Sequence, residues 1–286
     1  MAGRRGGAAA GKTRDYSAPA LEKAFDIFEQ LALAPEGLTI TEMSQRLGRS
    51  ISEIFRIMIV MEQRRWLAKD PDSDRYSVTY KMLELAHRAT PAQELTYVAA
   101  PIARALIQRT GQSCHLVVAA DGYGLCVLRE QAPGPTAFSL RLGTQVNLLT
   151  SCSGRILLSY ATPDLRERMM DAIPGIKAKD RADIERRSAE IRERGYETAP
   201  SARTTAVTDI SVPVFGFDGR AAAALTIPFL NYIDGTEHMT LDAARDALTA
   251  AGRQISHGLG WAERDVVEPV AAPVSAPKPR RRKAEA

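Results

Sequence analysis

The side chains in this 286-residue sequence most able to do chemistry are four histidines, three cysteines and several close-set carboxylates. His87, His115, His238 and His257 are scattered, with none of the short spacings that metal ligands need. Cys114 and His115 are adjacent, and neighbours on a strand point to opposite faces, so they do not form a thiolate–imidazole pair. Asp70, Asp72 and Asp74 start with calcium-loop spacing and do not continue it. Gly111, Gly122 and Gly124 fit turns rather than a phosphate loop. These gaps point away from an enzyme and suggest no cofactor or metal. Cys114, Cys126 and Cys152 are odd in number and far apart, which fits free thiols in a reducing cytoplasm.

The remaining chemistry is that of charge. The net charge of +4 is unevenly spread. Residues 1–16 (Arg4, Arg5, Lys12 and Arg14 against Asp15) carry +3, and residues 276–286 (Lys278, Arg280, Arg281, Arg282 and Lys283 against Glu285) carry +4, leaving −3 for the body between. Within the body, residues 22–42 hold Lys23 against Glu22, Asp26, Glu29, Glu36 and Glu42. Residues 46–69 hold Arg46, Arg49, Arg56, Arg64, Arg65 and Lys69 against Glu53 and Glu62. A polyanion would be drawn to the second segment and repelled by the first. Charge alone also fits a solvated surface.

The elements that position these charges decide between the two. Residues 38–78 read as helix, tight turn, helix and two-stranded hairpin, the order of a winged helix-turn-helix that lays its second helix in the DNA major groove. Thr39 with Glu42 forms a capping-box pair. Ile40, Met43 and Leu47 make one apolar face, and Gly48 supplies the helix stop. Ser50 or Ser52 can cap the second helix. Ile51, Ile54, Ile57, Met58 and Met61 are expected to face the core, with Arg49, Glu53 and Arg56 opposite and Phe55 at the border. Residues 66–68 and 75–78 alternate around the turn-forming 70–74 segment and make the wing. Residues 19–33 form a preceding amphipathic helix with Leu21, Ala24, Phe25, Phe28, Leu31 and Ala32 as its stripe.

The chain has room for two modest domains, and 45% hydrophobic with 25% charged content is ordinary for a globular protein. No apolar run approaches the roughly 18 residues of a membrane span, and the N-terminus shows no signal-peptide core. The organisation expected is a disordered basic tail (1–16), the winged helix-turn-helix (17–80), linker helices (81–110, broken at Thr90-Pro91), a second domain (111–261) and a disordered basic tail (262–286). The second domain reads as α+β. Strands are expected at 114–119, 125–129, 138–142, 196–198, 210–215 and 222–227, the last two hinged on Asp218-Gly219. Helices are expected at 151–160, 164–172, 181–194 and 241–259. The basic C-terminal tail could add DNA affinity or simply solubilise.

In this order, the segments resemble the IclR family of bacterial transcriptional regulators over roughly residues 17–260. The opening helix, helix-turn-helix and wing, the hairpin GQSCHLVVAADGYGLCVLRE, the helix start SCSGRILLS and the segment GYETAPSARTTAVTDISVPVFGFDGRAAAALTI carry the resemblance. It implies a GAF-like α/β effector domain, a small organic effector (often a carboxylate, aromatic or otherwise catabolic), and dimers or tetramers on a pseudo-palindromic operator. It places Arg49, Ser50, Ile51, Ser52, Glu53, Phe55 and Arg56 at the reading helix, with Lys69 and Arg75 at the wing. Ser52 and Arg56 keep the family pattern, and His115 matches a common histidine of the family's first strand, which the resemblance implies is structural. Glu53 departs from it, and its carboxylate could accept from cytosine or pair with Arg49 or Arg56. The resemblance places the effector between Leu148, Leu149 and Gly154 on one wall and Val207, Asp209, Thr226 and Pro228 on the sheet side. Asp209 stands where a cysteine is frequent and would repel an anion unless Arg203, Arg155 or Arg141 offsets it. A larger, more apolar, neutral or basic ligand, or none, stays open. A reading of another class also remains, in which a small-molecule module acts through protein contacts and the helix-turn-helix serves only dimerisation.

Overall fold

Capping chemistry sets the first unit's helices. The computed structural model describes residues 17–89, 92–133, 137–201, 204–232 and 239–262. The break expected at Thr90-Pro91, both charged tails and Arg203 lie outside them. The chain divides into two units at residues 90 and 91.

The first unit holds α1 (Pro19–Ala32), α2 (Ile40–Leu47), α3 (Ile51–Gln63), β1 (Leu67–Lys69), β2 (Tyr76–Val78) and α4 (Lys81–Ala89). Thr39 and Glu42 form the expected capping box at α2, and Gly48 ends that helix at φ 62°. β1 and β2 pair antiparallel as the wing. The core gathers Ile27 and Leu31 of α1, Met43 of α2, Ile54, Met58 and Met61 of α3, and Leu67 and Tyr76 of the wing.

Two sequence expectations are corrected here. The buried edge of α1 runs through Ile27 and Leu31, while Leu21 and Phe25 are more than half exposed. That helix carries apolar residues around much of its circumference, so periodicity alone does not select the face. Ile51, expected in the core, is 44% exposed in the first turn of α3.

In the second unit, one antiparallel sheet is clothed by helices on both faces. Its elements are α5 (Ala92–Thr110), β3 (Cys114–Ala120), β4 (Tyr123–Glu130), β5 (Gln145–Val146), α6 (Cys152–Tyr160), α7 (Pro163–Asp171), α8 (Ala178–Arg194), β6 (Glu197–Pro200), β7 (Val207–Phe215), β8 (Ala221–Leu230) and α9 (Leu241–Gly258). The strand order is β5-β4-β3-β8-β7-β6. The β7–β8 hairpin is the longest pairing, and β8 also pairs with β3, so the two hairpins fuse into one sheet. The outermost strands, β5 and β6, are the shortest, with two and four residues.

Alternation along each strand sorts side chains between two cores. Leu116, Ile210, Val212, Val214, Leu225 and Ile227 pack with Leu95, Ala99 and Leu106 of α5 and Leu248, Ala251 and Ile255 of α9. Val117 and Ala224 face the other way, with Ile156 and Leu158 of α6 and Ile184 and Ile191 of α8. The helix read as a linker at 94–109 is thus a structural layer of the second unit. The strand expected at 138–142 does not form. The short strand lies instead at Gln145–Val146, hydrogen-bonded to β4. Leu142 is 62% exposed. The other strands and helices lie within a few residues of their expected positions, and the three cysteines are free and buried.

Candidate functional site: a reading helix and a sheet-face cavity

α3 projects from the first unit with an unusual mixture on its outer surface. Ser50 is its N-cap residue. The Ser50 amide donates to the Glu53 carboxylate at 2.9 Å, and the Ser50 hydroxyl donates to the same oxygen at 2.8 Å. Lys23 Nζ of α1 sits 3.3 Å from the other oxygen. These contacts, the Ser50 amide foremost, hold the Glu53 carboxyl down at about 2. Glu53 therefore does not pair with Arg49 or Arg56. Arg49 instead reaches Asp26 of α1 at 3.3 Å. Two contacts from α1 thus fasten the N-terminal end of α3. Both are open to solvent on at least one side, so they orient the helix end more than they stabilise it.

Beyond that fastening, Ser52 and Arg56 are exposed, as are Ile51 and, at 49%, Phe55. No ion pair engages Arg56 among the described residues. At the wing, Lys69 pairs with Asp74 across the turn. Arg75 turns inward: its guanidinium makes two 2.9 Å contacts to Glu42 and donates to the Gly37 carbonyl at 2.8 Å. That clasp ties the wing to the capping box of α2. The Glu42 carboxyl is held below its usual range by the Thr39 amide first and Arg75 next.

The second unit encloses a cavity of about 230 Å³ between the sheet and the N-terminal end of α6. Its floor is a patch of neighbouring residues on one sheet face. His115 of β3 is in register with Thr226 of β8, Thr226 with Ser211 of β7, and Pro228 with Asp209. Ser211 and Thr226 hydroxyls are 2.7 Å apart. Ser201 closes one side, and Phe138, Leu140 and Val146 supply apolar walls. The roof is Asn147, Thr150, Ser151, Cys152 and Ser153. Ser151 caps α6 by accepting from the Gly154 amide, and its own hydroxyl donates to the Asn147 carbonyl.

Two titratable groups face this space. Burial pushes the His115 imidazole down to about 4, so it is neutral near pH 7, and its Nδ1 has no hydrogen-bond partner among the described residues. Burial pushes the Asp209 carboxyl up to about 6, against a Ser201 hydrogen bond and the nearby Arg155 charge. Arg155 does not line the cavity. It is buried behind the roof, donating to the Thr150 carbonyl at 2.9 Å and lying 3.5 Å from the buried Glu197. Arg141 is exposed at the surface.

Of the residues the resemblance suggested, Asp209, Thr226 and Pro228 line the cavity. Leu148, Leu149, Gly154 and Val207 do not: Leu148 is buried in the core under α6 with Leu149 packed against that core, and Val207 precedes Asp209 by two residues on β7. Gly154 still shapes the roof. A Cβ there would run into the Leu148 backbone, so the close seat of α6 on the 147–150 turn requires glycine. His115, read as structural, is a floor residue, and Ser201, Asn147, Thr150 and Ser153 join it unforeseen. The signal for His115 was present in the alternation of β3, which puts it opposite Cys114 and on the same face as Val117. Nothing local marked which face would hold the hollow.

Among the described residues no group of histidine, cysteine and carboxylate side chains could hold a metal ion, and no helix is long and apolar enough to cross a membrane.

A DNA-reading module joined to a domain with a cavity of small-molecule size defines a one-component transcription factor. Comparison with known proteins narrows the class. The chain matches the C-terminal domain model of the IclR bacterial transcriptional regulators over residues 87–257 and the IclR helix-turn-helix model over residues 20–71. It is 27% identical over 247 residues to the regulator BhcR of Paracoccus denitrificans, covering 84% of this chain and 87% of that protein. It is 25% identical over 244 residues to KdgR of Escherichia coli, covering 84% and 92%. Among solved structures it resembles an IclR homologue of Microbacterium hydrocarbonoxydans complexed with 4-hydroxybenzoate, with TM-score 0.69, 22% identity, and 84% and 98% of the two chains covered. The chain belongs to the IclR family. It is a DNA-binding transcriptional regulator with a C-terminal effector domain, and its relatives are regulators rather than enzymes.

Proposed function

We propose that this regulator acts in the cytoplasm, binds a pseudo-palindromic operator as a dimer or a pair of dimers, and is switched by a small organic effector held in the sheet-face cavity. The observation that carries this reading is the cavity itself: a recessed space with a buried imidazole, a half-buried carboxylate and a ring of hydroxyls, in the domain expected to sense. Its volume falls below the ~300–1,000 Å³ of drug-sized sites, which suits a small metabolite. The solved homologue complexed with 4-hydroxybenzoate supports a ligand of that size.

Ser52, Phe55, Arg56 and Ile51 are the side chains best able to meet base edges and phosphates. Arg56 offers a guanidinium for guanine or phosphate, and the two apolar residues suit thymine methyl groups. Glu53, Arg49 and Arg75 act instead by holding the helix, its N-terminal turn and the wing in place, with Ser50 as cap and Lys69 bracing the wing turn. The effector can change occupancy only if it binds two arrangements of the assembly unequally.

The test is recovery of genomic fragments by the purified protein at moderate salt, followed by titration of the enriched site against salt. One palindromic site whose affinity falls steeply with salt supports the reading, since each phosphate contact contributes close to one unit of log–log slope. Uniform recovery, or a flat salt response, overturns it in favour of a module that works through protein contacts. Deleting residues 276–286 separates any contribution of the basic tail to non-specific affinity.

A further inference from the structure

Among the described residues, the charged side chain that lines the cavity is a carboxylate. Asp209 lies on the floor, half-buried, and no lysine or arginine among the described residues lines the space. The Arg155 guanidinium is committed behind the roof to Glu197 and to the carbonyls of Leu149 and Thr150. His115 stands on the same floor as a neutral imidazole with an unpartnered Nδ1. Glu197 faces Arg155 rather than the cavity, and Cys152 reaches the Asp209 carbonyl with its thiol at 3.6 Å. Ser201 is the neighbour that stabilises the Asp209 carboxylate directly. The floor therefore carries one carboxylate, with no cation among the described lining residues to answer it. A carboxylate driven against this floor would meet like charge in a poorly solvated space.

We propose that the effector is a small organic amine, bound with its ammonium group on Asp209 and its apolar part against Phe138, Leu140 and Pro228. The Thr150 hydroxyl on the roof is left for any acceptor group the same molecule carries, so an amino acid or amino alcohol fits as well as a plain amine. An ammonium supplies the countercharge that burial denies Asp209, and it displaces no internal ion pair. The proposal rests on the cavity being the effector site, and it names the chemistry of that site. Binding is then coupled to protons: as pH falls through about 6, Asp209 takes up a proton and the attraction is lost.

The experiment uses three probes of one size, benzylammonium, benzyl alcohol and benzoate, titrated calorimetrically into the full-length protein at pH 7.5 and pH 5. Wild type is expected to bind benzylammonium at least tenfold more tightly than benzoate at pH 7.5, with benzyl alcohol between them. The preference should shrink at pH 5. Asp209→Asn, which removes the charge and keeps the shape, should abolish the preference at both pH values.

Tighter binding of benzoate than of benzylammonium by wild type overturns the amine assignment while leaving the cavity as the effector site. If Arg203→Ala then loses that benzoate binding, Arg203 is the anion's partner. Absence of heat with all three probes, in wild type and in Asp209→Asn alike, overturns the cavity as a ligand site and the proposed function with it.

Discussion

Asp209 should cost the empty protein stability, and that cost can be measured. Its carboxyl ordinarily titrates near 3.8 and is raised to about 6 by burial. A displacement of that size corresponds to roughly 3 kcal/mol at pH 7, with each pKa unit worth ~1.4 kcal/mol. The group is partly solvated at the cavity, so a net ~1–2 kcal/mol is the reasonable expectation. The sign follows from proton uptake. Between about pH 4 and 6 the folded state binds more protons at this site than the unfolded one, so stability falls as pH rises through that window. Asp209→Asn should therefore stabilise the ligand-free protein at pH 7 and raise its midpoint by roughly 3–6 °C, at ~2–4 °C per kcal/mol for a domain of this size. The gain should vanish by pH 4.5, where the wild-type carboxyl is already protonated.

His115 gives the counter-measurement. Its imidazole is lowered from 6.5 to about 4, so its contribution is intact above pH 6.5 and is lost as pH falls toward 4. In wild type the two groups oppose each other across the same window and the site's pH dependence is nearly flat. In Asp209→Asn only the histidine's slope remains, and the variant should lose stability steadily in acid. Urea unfolding monitored by tryptophan fluorescence and circular dichroism from pH 4.5 to 7.5 tests both slopes. A variant less stable than wild type at pH 7, or one whose advantage does not change with pH, refutes the reasoning.

Removing Glu197 with Glu197→Ala leaves the buried Arg155 guanidinium unbalanced and should cost ~3–5 kcal/mol in the same unfolding assay. Gly154→Ala forces α6 off the Leu148 backbone and should cost ~1–3 kcal/mol while altering probe affinity at the cavity, a pairing that calorimetry and unfolding can check together. The three thiols are pushed up to about 12 for Cys114, 11 for Cys126 and 12 for Cys152, all chiefly by burial. An aromatic disulfide reagent at pH 8 should therefore release no chromophore until denaturant is added. Arg56→Ala should lower the slope of log affinity against log salt by about one at the operator, with circular dichroism unchanged.

The sequence made local chemistry readable and left distant pairing obscure. Thr39 with Glu42, Gly48, the Asp218-Gly219 turn and the closing helix were all foreseeable because their determinants lie within four residues of one another. Glu53 was legible only in part: its capping partner Ser50 lies three residues back and follows the same rule as Thr39 with Glu42, whereas its cation, Lys23, is thirty residues away, and a charge on another helix leaves no mark on the periodicity of its own. The α1 face was misread for a related reason. Ile27 and Phe25 are equally apolar, and only the packing of α3 and the wing decides which is buried. At 138–142 the alternation is genuine, since Phe138 and Leu140 both turn to the cavity, but a strand needs a ladder partner and β4 gives its edge to Gln145–Val146. The cavity divided similarly. Asp209, Thr226 and Pro228, suggested by the family resemblance, line it, whereas Leu148, Leu149 and Gly154 pack in the adjoining core and Val207 sits further along β7, distinctions that spacing cannot express.

The short rims of the six-stranded sheet have a bearing on assembly. Unpaired peptide groups along a rim invite another chain to continue the ladder, and the two rim strands themselves offer few: β5 spans two residues, and β6 spans four and finishes on Pro200, which has no amide hydrogen. Growth of the sheet from β5 or β6 of one copy into the next is thereby discouraged. A seam made by fitting side chains to side chains, unlike a shared ladder of peptide hydrogen bonds, can slide or reopen when a small molecule changes the shape of either surface.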